Sequence, residues 1–289
     1  MLKLLFLVFS FSSFASTIQI GDEYSKTPWR EALERSDLPF IADHIYNTVL
    51  INTPAPRGVG RGTGFYIGRH QGRHLFLTNA HVMTTHECRG SIITFLKANR
   101  SQGRVECEKV LVSLFNREES DVTLFTVKEN QMKDFAAQGL ELDLDFSPRA
   151  GQMLMQYGFG VRSVNRFRDS DQAQRAFTGN ANLDSDCAVI SPTAVLQTVP
   201  DMAGKLVHHN ISIGCDVTGG DSGSAIVDRE TGRVVALLWA SGINPRDRDR
   251  IRSRDLWSHV IGSEDPRIWK NFAFAISMKE LRKVLEPYL

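Results

Sequence analysis

The sequence has little excess charge and few long apolar runs. It contains 34 lysines and arginines against 33 aspartates and glutamates, a formal net charge of +1 at pH 7. This balance argues against nucleic acid or anionic membrane as a partner, because such surfaces need clustered basic residues. Beyond the N-terminus, no apolar run reaches the roughly 20 residues that cross a bilayer. Composition therefore predicts a soluble globular protein with a substantial core.

Metal and cofactor motifs are also missing. No Cys-x-x-Cys occurs, and His81, His86 and Cys88 do not have zinc-finger spacing, so we predict no metal site. The glycine-rich segment 58–64 lacks dinucleotide spacing and a Lys-Ser/Thr ending, which excludes a phosphate-binding loop. We instead expect a mobile loop there that leads into a strand. The sequence thus predicts no cofactor.

The N-terminus has the pattern of a signal peptide. A lysine at position 3 precedes an apolar run, and small residues allow cleavage after Ala15. A membrane anchor is the alternative, but the run is short for a span. Residues 16–44 then form an N-terminal segment or a possible propeptide, with a short helix indicated by Trp29 and Leu33. We predict an exported protein, extracellular or periplasmic.

Short apolar runs dominate the rest of the chain, separated by glycine, asparagine and charged turns. This pattern predicts an all-β fold made of barrels. The predicted strands are residues 46–52, 64–68, 74–78, 91–96, 109–115, 122–127, 153–159, 187–190, 194–199, 208–213, 224–228 and 233–240. Residues 129–151 are polar and acidic and predict a connection between two barrels. Met278, Leu281, Val284 and Leu285 have the spacing of one helix face.

Three motifs carry candidate chemistry. The sequence TGGDSGS places Ser222 between glycines, which allow main-chain N–H groups to converge on one point. A serine hydroxyl also needs a base. The run LFLTNAHV carries His81 to the end of a predicted strand, and Asp121 precedes a buried strand. The order His, Asp, Ser is that of the double β-barrel form of the catalytic triad.

Other residues of the same types have less suitable contexts. For the base, the alternatives are His44, His70, His74, His86, His208, His209 and His259. For the acid, the alternatives are Asp134, Asp143 and Asp145. None of these histidines follows an LTNAH-like run, and none of these aspartates precedes a clean buried strand. His81 and Asp121 therefore stay the preferred candidates.

The chain resembles the chymotrypsin-like (trypsin-type) serine proteases, above all their bacterial secreted members. The matching sequence motifs are TGFYIG at 63–68, LTNAHV at 77–82, DVTL at 121–124, GDSGS at 220–224 and NFAFAI at 271–276. They occur in family order over roughly residues 45 to 289. The resemblance implies two six-stranded antiparallel β-barrels and a C-terminal helix. We expect the N-terminal barrel at 45–140 and the C-terminal barrel with the helix at 141–289.

The same resemblance implies roles for the candidate residues. Ser222 would attack the scissile carbonyl, His81 would accept its proton, and Asp121 would orient the imidazole. The main-chain N–H groups of Gly220 and Ser222 would bind the oxyanion. The expected activity is that of a secreted serine endopeptidase working through an acyl-enzyme. Protein or peptide substrates are the expected partners, and we expect a monomer that is free of the membrane after signal cleavage.

Four cysteines fit an exported protein, and they allow three disulfide pairings. We favour Cys88–Cys107 and Cys187–Cys215, because each pair then lies within one predicted barrel.

Two aspartates raise separate questions. In trypsin-type enzymes the residue at the position of Asp221 binds a new N-terminal amine after propeptide cleavage. Here Arg30 and Arg35 are possible cleavage points, but no Ile-Val-Gly-Gly-like start follows a basic residue. Asp221 would then accept hydrogen bonds from an internal arginine or from loop amides.

The second question concerns substrate specificity. Asp216 lies six residues before Ser222, where trypsin has its pocket aspartate, and Ser241 falls where the pocket wall is expected. An acidic pocket would select Arg or Lys at P1 through a buried charge pair. A structural aspartate is the alternative for Asp216. Leu238 occupies the place where glutamate-specific relatives have histidine, which argues against an acidic P1.

Three other functions fit the sequence less well than an exported endopeptidase does. A catalytically silent binding or adhesion module would not need a complete His-Asp-Ser set. A chaperone-associated protease usually adds a peptide-binding domain after the barrels. An α/β-hydrolase esterase needs the order Ser, Asp, His and a Gly-x-Ser-x-Gly turn, whereas Ser222 lies in Gly-Asp-Ser-Gly-Ser.

Overall fold

A computed structural model describes most of the chain after its first 25 residues. The described residues are 26–35, 37–55, 58–97, 99–115, 120–132, 135, 137–160, 181–191, 195–199, 206–241, 260–263 and 272–289. The predicted signal peptide lies outside them. Within these ranges, no helix has the length and apolar character that a membrane span requires.

Strands account for most of the regular structure. They are β1 (Thr27–Pro28), β2 (Thr48–Ala55), β3 (Gly58–His70), β4 (Arg73–Thr78), β5 (Ile92–Leu96), β6 (Gln102–Phe115), β7 (Asp121–Val127), β8 (Met153–Gly158), β9 (Asn182–Ala188), β10 (Val195–Val199), β11 (Leu206–Ile213), β12 (Ala225–Asp228), β13 (Val234–Ser241) and β14 (Ala273–Ser277). The helices are α1 (Trp29–Ala32), α2 (Ile41–Asn47), α3 (Thr85–Cys88) and α4 (Met278–Leu285), with 3-10 turns at Glu129–Gln131 and Glu286–Tyr288.

Strands β2 to β7 form a closed barrel in the order β2-β3-β4-β7-β6-β5. Successive side chains of a strand point to opposite faces. In β4, Phe76 therefore points into the barrel, where it stacks on Phe125 of β7. Its neighbours Leu75 and Leu77 point outward and join the core that lies against the second sheet. Burial on both faces explains why Leu75, Phe76 and Leu77 are consecutive apolar residues.

The glycine-rich segment 58–64 is a strand, and our expectation of a mobile loop was wrong. It forms the first half of β3 and pairs with β2 from Gly58 opposite Ala55 to Gly64 opposite Val49. Side-chain crowding explains its composition. A Cβ on Gly62 would lie 2.5 Å from a methyl group of Val82, so only glycine fits. The glycines here allow close packing inside a regular strand.

The second sheet is antiparallel and strongly curled. Within the described residues it has eight strands in the order β1-β9-β8-β12-β13-β14-β11-β10. An isolated bridge between Val189 and Ile213 connects the end of β9 with β11 across the curl. The fold is mostly β with a short C-terminal helix, as predicted. This sheet has eight strands where six were expected, and one of the additional strands is β1, which the N-terminal segment adds at the edge beyond β9.

The core between the two sheets also contains helical residues. Helix α4 begins where the Ser277 hydroxyl accepts the N–H of Lys279 over 3.3 Å. It buries Met278, Leu281 and Leu285 in this shared core, as the predicted helix face requires. Both sheets are thus fixed against one another by a common apolar layer.

The two disulfides are those favoured from the sequence. Cys88 of α3 is bonded to Cys107 of β6, in the first barrel. Cys187 of β9 is bonded to Cys215, just after β11, in the second sheet. Each bond joins segments of a single sheet.

Candidate active site

His81 and Asp121 lie at adjoining ends of two paired strands. β4 is antiparallel to β7, and Thr78 at its end lies opposite Thr123. The turn after β4 therefore carries His81 to the first residue of β7. Asn79 in that turn donates its side-chain N–H to the main-chain oxygen of Asp121 over 2.9 Å. Strand register thus brings two residues together that are 40 positions apart in sequence.

Both carboxylate oxygens of Asp121 contact His81. Oδ2 lies 2.5 Å from the ring Nδ1, and Oδ1 accepts the main-chain N–H at 3.0 Å. The Asp121 side chain is 1% exposed and that of His81 is 15% exposed. A carboxylate at Nδ1 favours the tautomer that is protonated there, which leaves Nε2 as a proton acceptor.

The environment of His81 favours the charged ring. Burial opposes the charge, but the negative charge and hydrogen bond of Asp121, with a smaller effect of Glu87, raise the pKa of His81 above its ordinary value. Glu87 is fixed by a capping box at the start of α3, where its Oε2 accepts the N–H of Thr84 at 2.8 Å. A raised pKa makes His81 a stronger base once it has lost its proton.

Ser222 lies in the turn between β11 and β12. Its main-chain oxygen accepts the N–H of Thr63 at 2.8 Å, and the oxygen of Thr63 accepts the hydroxyl of Thr78 at 2.7 Å. Two hydrogen bonds therefore attach the serine turn to the end of β4, close in sequence to His81. Ser222 is half-buried, while the side chains on either side of it in the turn are buried.

The three candidate residues are not all in direct contact. Within the described residues, Asp121 is hydrogen-bonded to His81, but the Ser222 hydroxyl forms no hydrogen bond to the ring. Such contacts are often long in unliganded enzymes and shorten when substrate binds. The first barrel thus holds His81 and Asp121 in contact, and the turn that precedes β12 of the second sheet carries Ser222.

Among the described residues, two main-chain N–H groups of the turn around Ser222 have no main-chain acceptor. Gly220 has a φ of +102°, and its main-chain oxygen accepts the Thr63 hydroxyl at 2.7 Å. Across the described segments, the N–H groups of Gly220 and Ser222 donate to no main-chain oxygen. Gly223 approaches β3 so closely that a Cβ would lie 2.0 Å from the Thr63 oxygen. Neither N–H group is therefore committed to a main-chain partner in the part of the chain that the structure describes, as an oxyanion-binding role would require.

The carboxylate of Asp221 points into the protein. Oδ1 accepts the N–H of Gly160 at 2.9 Å and the side-chain amide of Gln156 at 3.0 Å. Oδ2 accepts the N–H of Thr218 at 2.8 Å and forms an ion pair with Lys26. Loop amides were among the partners that we expected for Asp221. The cationic partner is a lysine of the N-terminal segment, where an internal arginine had been expected.

Asp216 lies in the interior beside a second acid. It is 1% exposed, and its N–H donates to Oδ2 of Asp184 at 2.6 Å. Burial and the charge of Asp216 raise the pKa of Asp184 to about 7. Asp184 also lies near the sulfurs of Cys187 and Cys215, but both sulfurs belong to a disulfide and cannot act as thiolate ligands for a metal.

Ser241, the other specificity candidate, is the last residue of β13 and lies opposite Ala273 of β14. The structure describes its main chain only.

Sequence reasoning missed three residues that shape the site. Thr63 holds the serine turn through hydrogen bonds from its main-chain N–H and its hydroxyl, and it lies within the TGFYIG motif. Asp184 precedes Cys187 by three positions in an unremarkable polar stretch. Lys26 lies in a segment with no motif at all, so no sequence signal could have identified its contact with Asp221.

Comparisons with known proteins agree with this geometry. The family model described as "Trypsin-like peptidase domain" matches residues 62–237, which is more than half of the chain. No curated protein sequence matches the chain.

Solved protease structures share the fold. The active form of the Rv3671c protease from M. tuberculosis has 18% sequence identity and a TM-score of 0.56, over 95% of this chain and 92% of that one. The structure of Deg5 has 15% identity and a TM-score of 0.52, over 89% of this chain and 95% of that one. By its matched domain and its fold, the chain belongs to the trypsin-like peptidases and is a serine-type peptidase.

Proposed function

We propose that the protein is an exported serine endopeptidase that uses Ser222, His81 and Asp121 as its triad. The observation that carries the proposal is the Asp121 carboxylate bound to both the ring and the main chain of His81. This contact fixes the ring with Nε2 free. The serine turn is attached to the same strand end through Thr63 and Thr78.

The chemistry follows from these positions. Nε2 of His81 removes the proton of the Ser222 hydroxyl as the oxygen attacks the substrate carbonyl. The resulting oxyanion accepts the N–H groups of Gly220 and Ser222. The imidazolium then protonates the leaving amine, and an acyl-enzyme forms on Ser222. Water, deprotonated by the same ring, hydrolyses this ester and restores the hydroxyl. The buried Asp121 keeps the ring oriented and stabilises its positive charge throughout.

We also propose a preference for Arg or Lys at P1 through Asp216. A buried carboxylate that meets a substrate cation forms a strong pair, because little water competes. Asp216 is 1% exposed and its main chain lies against the Asp184 side chain, so a substrate cation that reached it would be shielded from solvent. Short peptides with Arg, Phe or Glu at P1 test this preference. Equal cleavage of the Arg and Phe peptides would contradict the proposed role of Asp216.

Export is supported by the disulfides Cys88–Cys107 and Cys187–Cys215, since such bonds persist in oxidising compartments. The signal-peptide pattern at the N-terminus agrees with this proposal. Blocking oxidation in the expression host should reduce the yield of folded protein.

The decisive experiment for catalysis uses an organophosphonate probe that reacts with activated serines. We expect a single adduct on Ser222, lost in His81→Ala. The matched control is His86→Ala, which removes an exposed histidine five positions further along the chain and should label normally. Absence of an adduct in the wild type would favour a silent binding module.

A further inference from the structure

Lys26 is buried beneath the turn that carries the candidate nucleophile. Its ammonium pairs with the carboxylate of Asp221, and both side chains are 0% exposed. The pocket around the carboxylate is tight, since a Cβ on Gly160 would lie 2.1 Å from Oδ2 of Asp221. A charge in such a place is tolerated only when it is paired and hydrogen-bonded.

The N-terminal segment carries the lysine to this position. Immediately after Lys26, β1 pairs with β9, and the N–H of Trp29 donates to the oxygen of Ala181 at 3.2 Å. Asn182 of β9 donates its side-chain N–H to the oxygen of Gly160, next to the Asp221 carboxylate. The segment is therefore part of the second sheet and of the wall around this carboxylate.

Asp221 lies in the chain between the two residues whose N–H groups would bind the oxyanion, so the position of its carboxylate affects theirs. Its own N–H and oxygen lie between Gly220 and Ser222, whose N–H groups would bind the oxyanion. Without a cation, the carboxylate gains by turning toward water. Because Asp221 is 0% exposed, we expect its carboxylate to reach water only if the backbone of the turn moves, and both N–H groups would move with it.

We propose that Lys26 is a positioning residue whose ammonium holds Asp221 inward and so maintains the oxyanion-binding turn. The enzyme then needs no chain cleavage to generate a buried amine, and residues from Lys26 onward stay part of the active protein. Cleavage after Arg30 or Arg35 would separate Lys26 from the catalytic domain. This inference rests on the proposed function.

Lys26→Met and Lys26→Ala test the role directly. We expect kcat/KM for a peptide substrate, and the rate of phosphonate labelling, to fall about 100-fold or more, mainly through kcat, as when an oxyanion donor is lost. The matched control is Lys128→Met, because Lys128 also pairs with a carboxylate, Glu106, but at the surface. The control should stay within twofold of wild type. Activity of Lys26→Met within threefold of wild type would overturn the proposal.

Rescue by a small amine separates positioning from general stability. In Lys26→Ala, added n-propylammonium can occupy the vacated space and pair with Asp221. We expect a saturable recovery of at least tenfold, with no effect of the amine on Lys128→Met. Two results together would contradict an electrostatic role. The first is a folded Lys26→Ala variant that stays inactive with every primary amine, and the second is a Lys26→Arg variant that is equally inactive.

A measurement on the wild type decides the matter if these variants fail to fold. The active protein is labelled with the phosphonate, and the N-terminus of the labelled chain is sequenced. We expect a start before residue 26. A labelled chain beginning after Lys26 and free of the released segment overturns this inference while leaving the proposed function intact. No label on Ser222 at all would remove the proposed function, and the role of Lys26 with it.

Discussion

Two buried aspartates belong to the candidate site, and each has a different basic partner. Asp121 pairs with His81, whose side chain is 15% exposed, whereas Asp221 pairs with Lys26, which is fully buried. Histidine changes its charge near neutral pH, and lysine ordinarily keeps its charge. Under the proposed mechanism, the first pair transfers a proton and the second pair holds the turn in place.

The two pairs also differ in how the chain builds them. His81 and Asp121 are 40 residues apart and come from paired strands of one barrel. Lys26 and Asp221 are 195 residues apart and come from the N-terminal segment and the second sheet. The first pair follows from strand register, but the second needs the whole fold. Variants of each pair should therefore fail in different ways.

The largest effect is expected from removing the base. His81→Ala should lower kcat on a peptide substrate by about 10⁶-fold, because triad members act as a unit. Asp121→Asn should lower kcat by about 10⁴-fold, since the ring then loses its preferred tautomer. Steady-state kinetics on both variants, with the exposed His86→Ala as control, measures this. A loss below 100-fold in His81→Ala would contradict the assignment of the base.

Removing Lys26, the other basic partner, should lower stability as well as activity. Lys26→Met leaves a buried carboxylate without its cation, which should lower the free energy of unfolding by about 3–5 kcal/mol. Urea denaturation measures this change. The double variant Lys26→Met/Asp221→Asn should lose less than Lys26→Met alone, because no uncompensated charge remains. The exposed pair of Lys128 and Glu106 provides the reference, and Lys128→Met should cost less than about 1 kcal/mol.

The disulfides should give a somewhat smaller change. Replacing both Cys187 and Cys215 by serine opens a loop with a sequence separation of 28. We expect the free energy of unfolding to fall by about 3 kcal/mol, mainly through the added freedom of the unfolded chain. Replacing Cys88 and Cys107, with a separation of 19, should cost a similar amount. A change below about 1 kcal/mol in either variant, measured in urea, would show that packing alone holds that sheet.

Local patterns in the sequence were sufficient for much of the fold. Each of the twelve predicted strand runs overlaps a strand of the structure, although 46–52 begins in α2 and 187–190 includes only the end of β9. The spacing of Met278 and Leu285 correctly predicted α4. An apolar run bounded by turn residues indicates a buried strand. Such a strand can therefore be predicted without knowing which other strands pair with it. The same locality identified the segments that carry His81, Asp121 and Ser222.

Features that depend on distant contacts could not be predicted. Gly62 was assigned to a loop because the need for glycine comes from Val82, a neighbour that the local sequence does not reveal. β1 has two residues and depends on β9 for its hydrogen bonds. Lys26 sits in a polar segment that resembles any exposed linker. Its burial follows only from the position of Asp221, at the other end of the chain.

The smallest predicted effect concerns pH. Because the pKa of His81 is raised and the ring must be neutral to accept a proton, the acid limb of kcat/KM should lie above pH 6.5. Asp121→Asn should move the limb to lower pH, since a main source of the rise is removed. Buried His44, whose pKa is lowered to about 4 by desolvation, provides the control, and His44→Gln should not move the limb.

The same raised pKa has the opposite consequence for stability. The folded protein holds the His81 proton more tightly than the unfolded chain, so this stabilisation is fully present below the unfolded pKa near 6.5. It is lost as the pH rises through the raised pKa of the folded state. Activity should therefore increase over the pH range in which this contribution to stability declines. Lys26→Arg keeps a cation beside Asp221 and leaves the contact between His81 and Asp121 intact, so it should not displace the acid limb. An acid limb below pH 6.5, or one that Lys26→Arg displaces as much as Asp121→Asn does, would break the distinction between the two pairs.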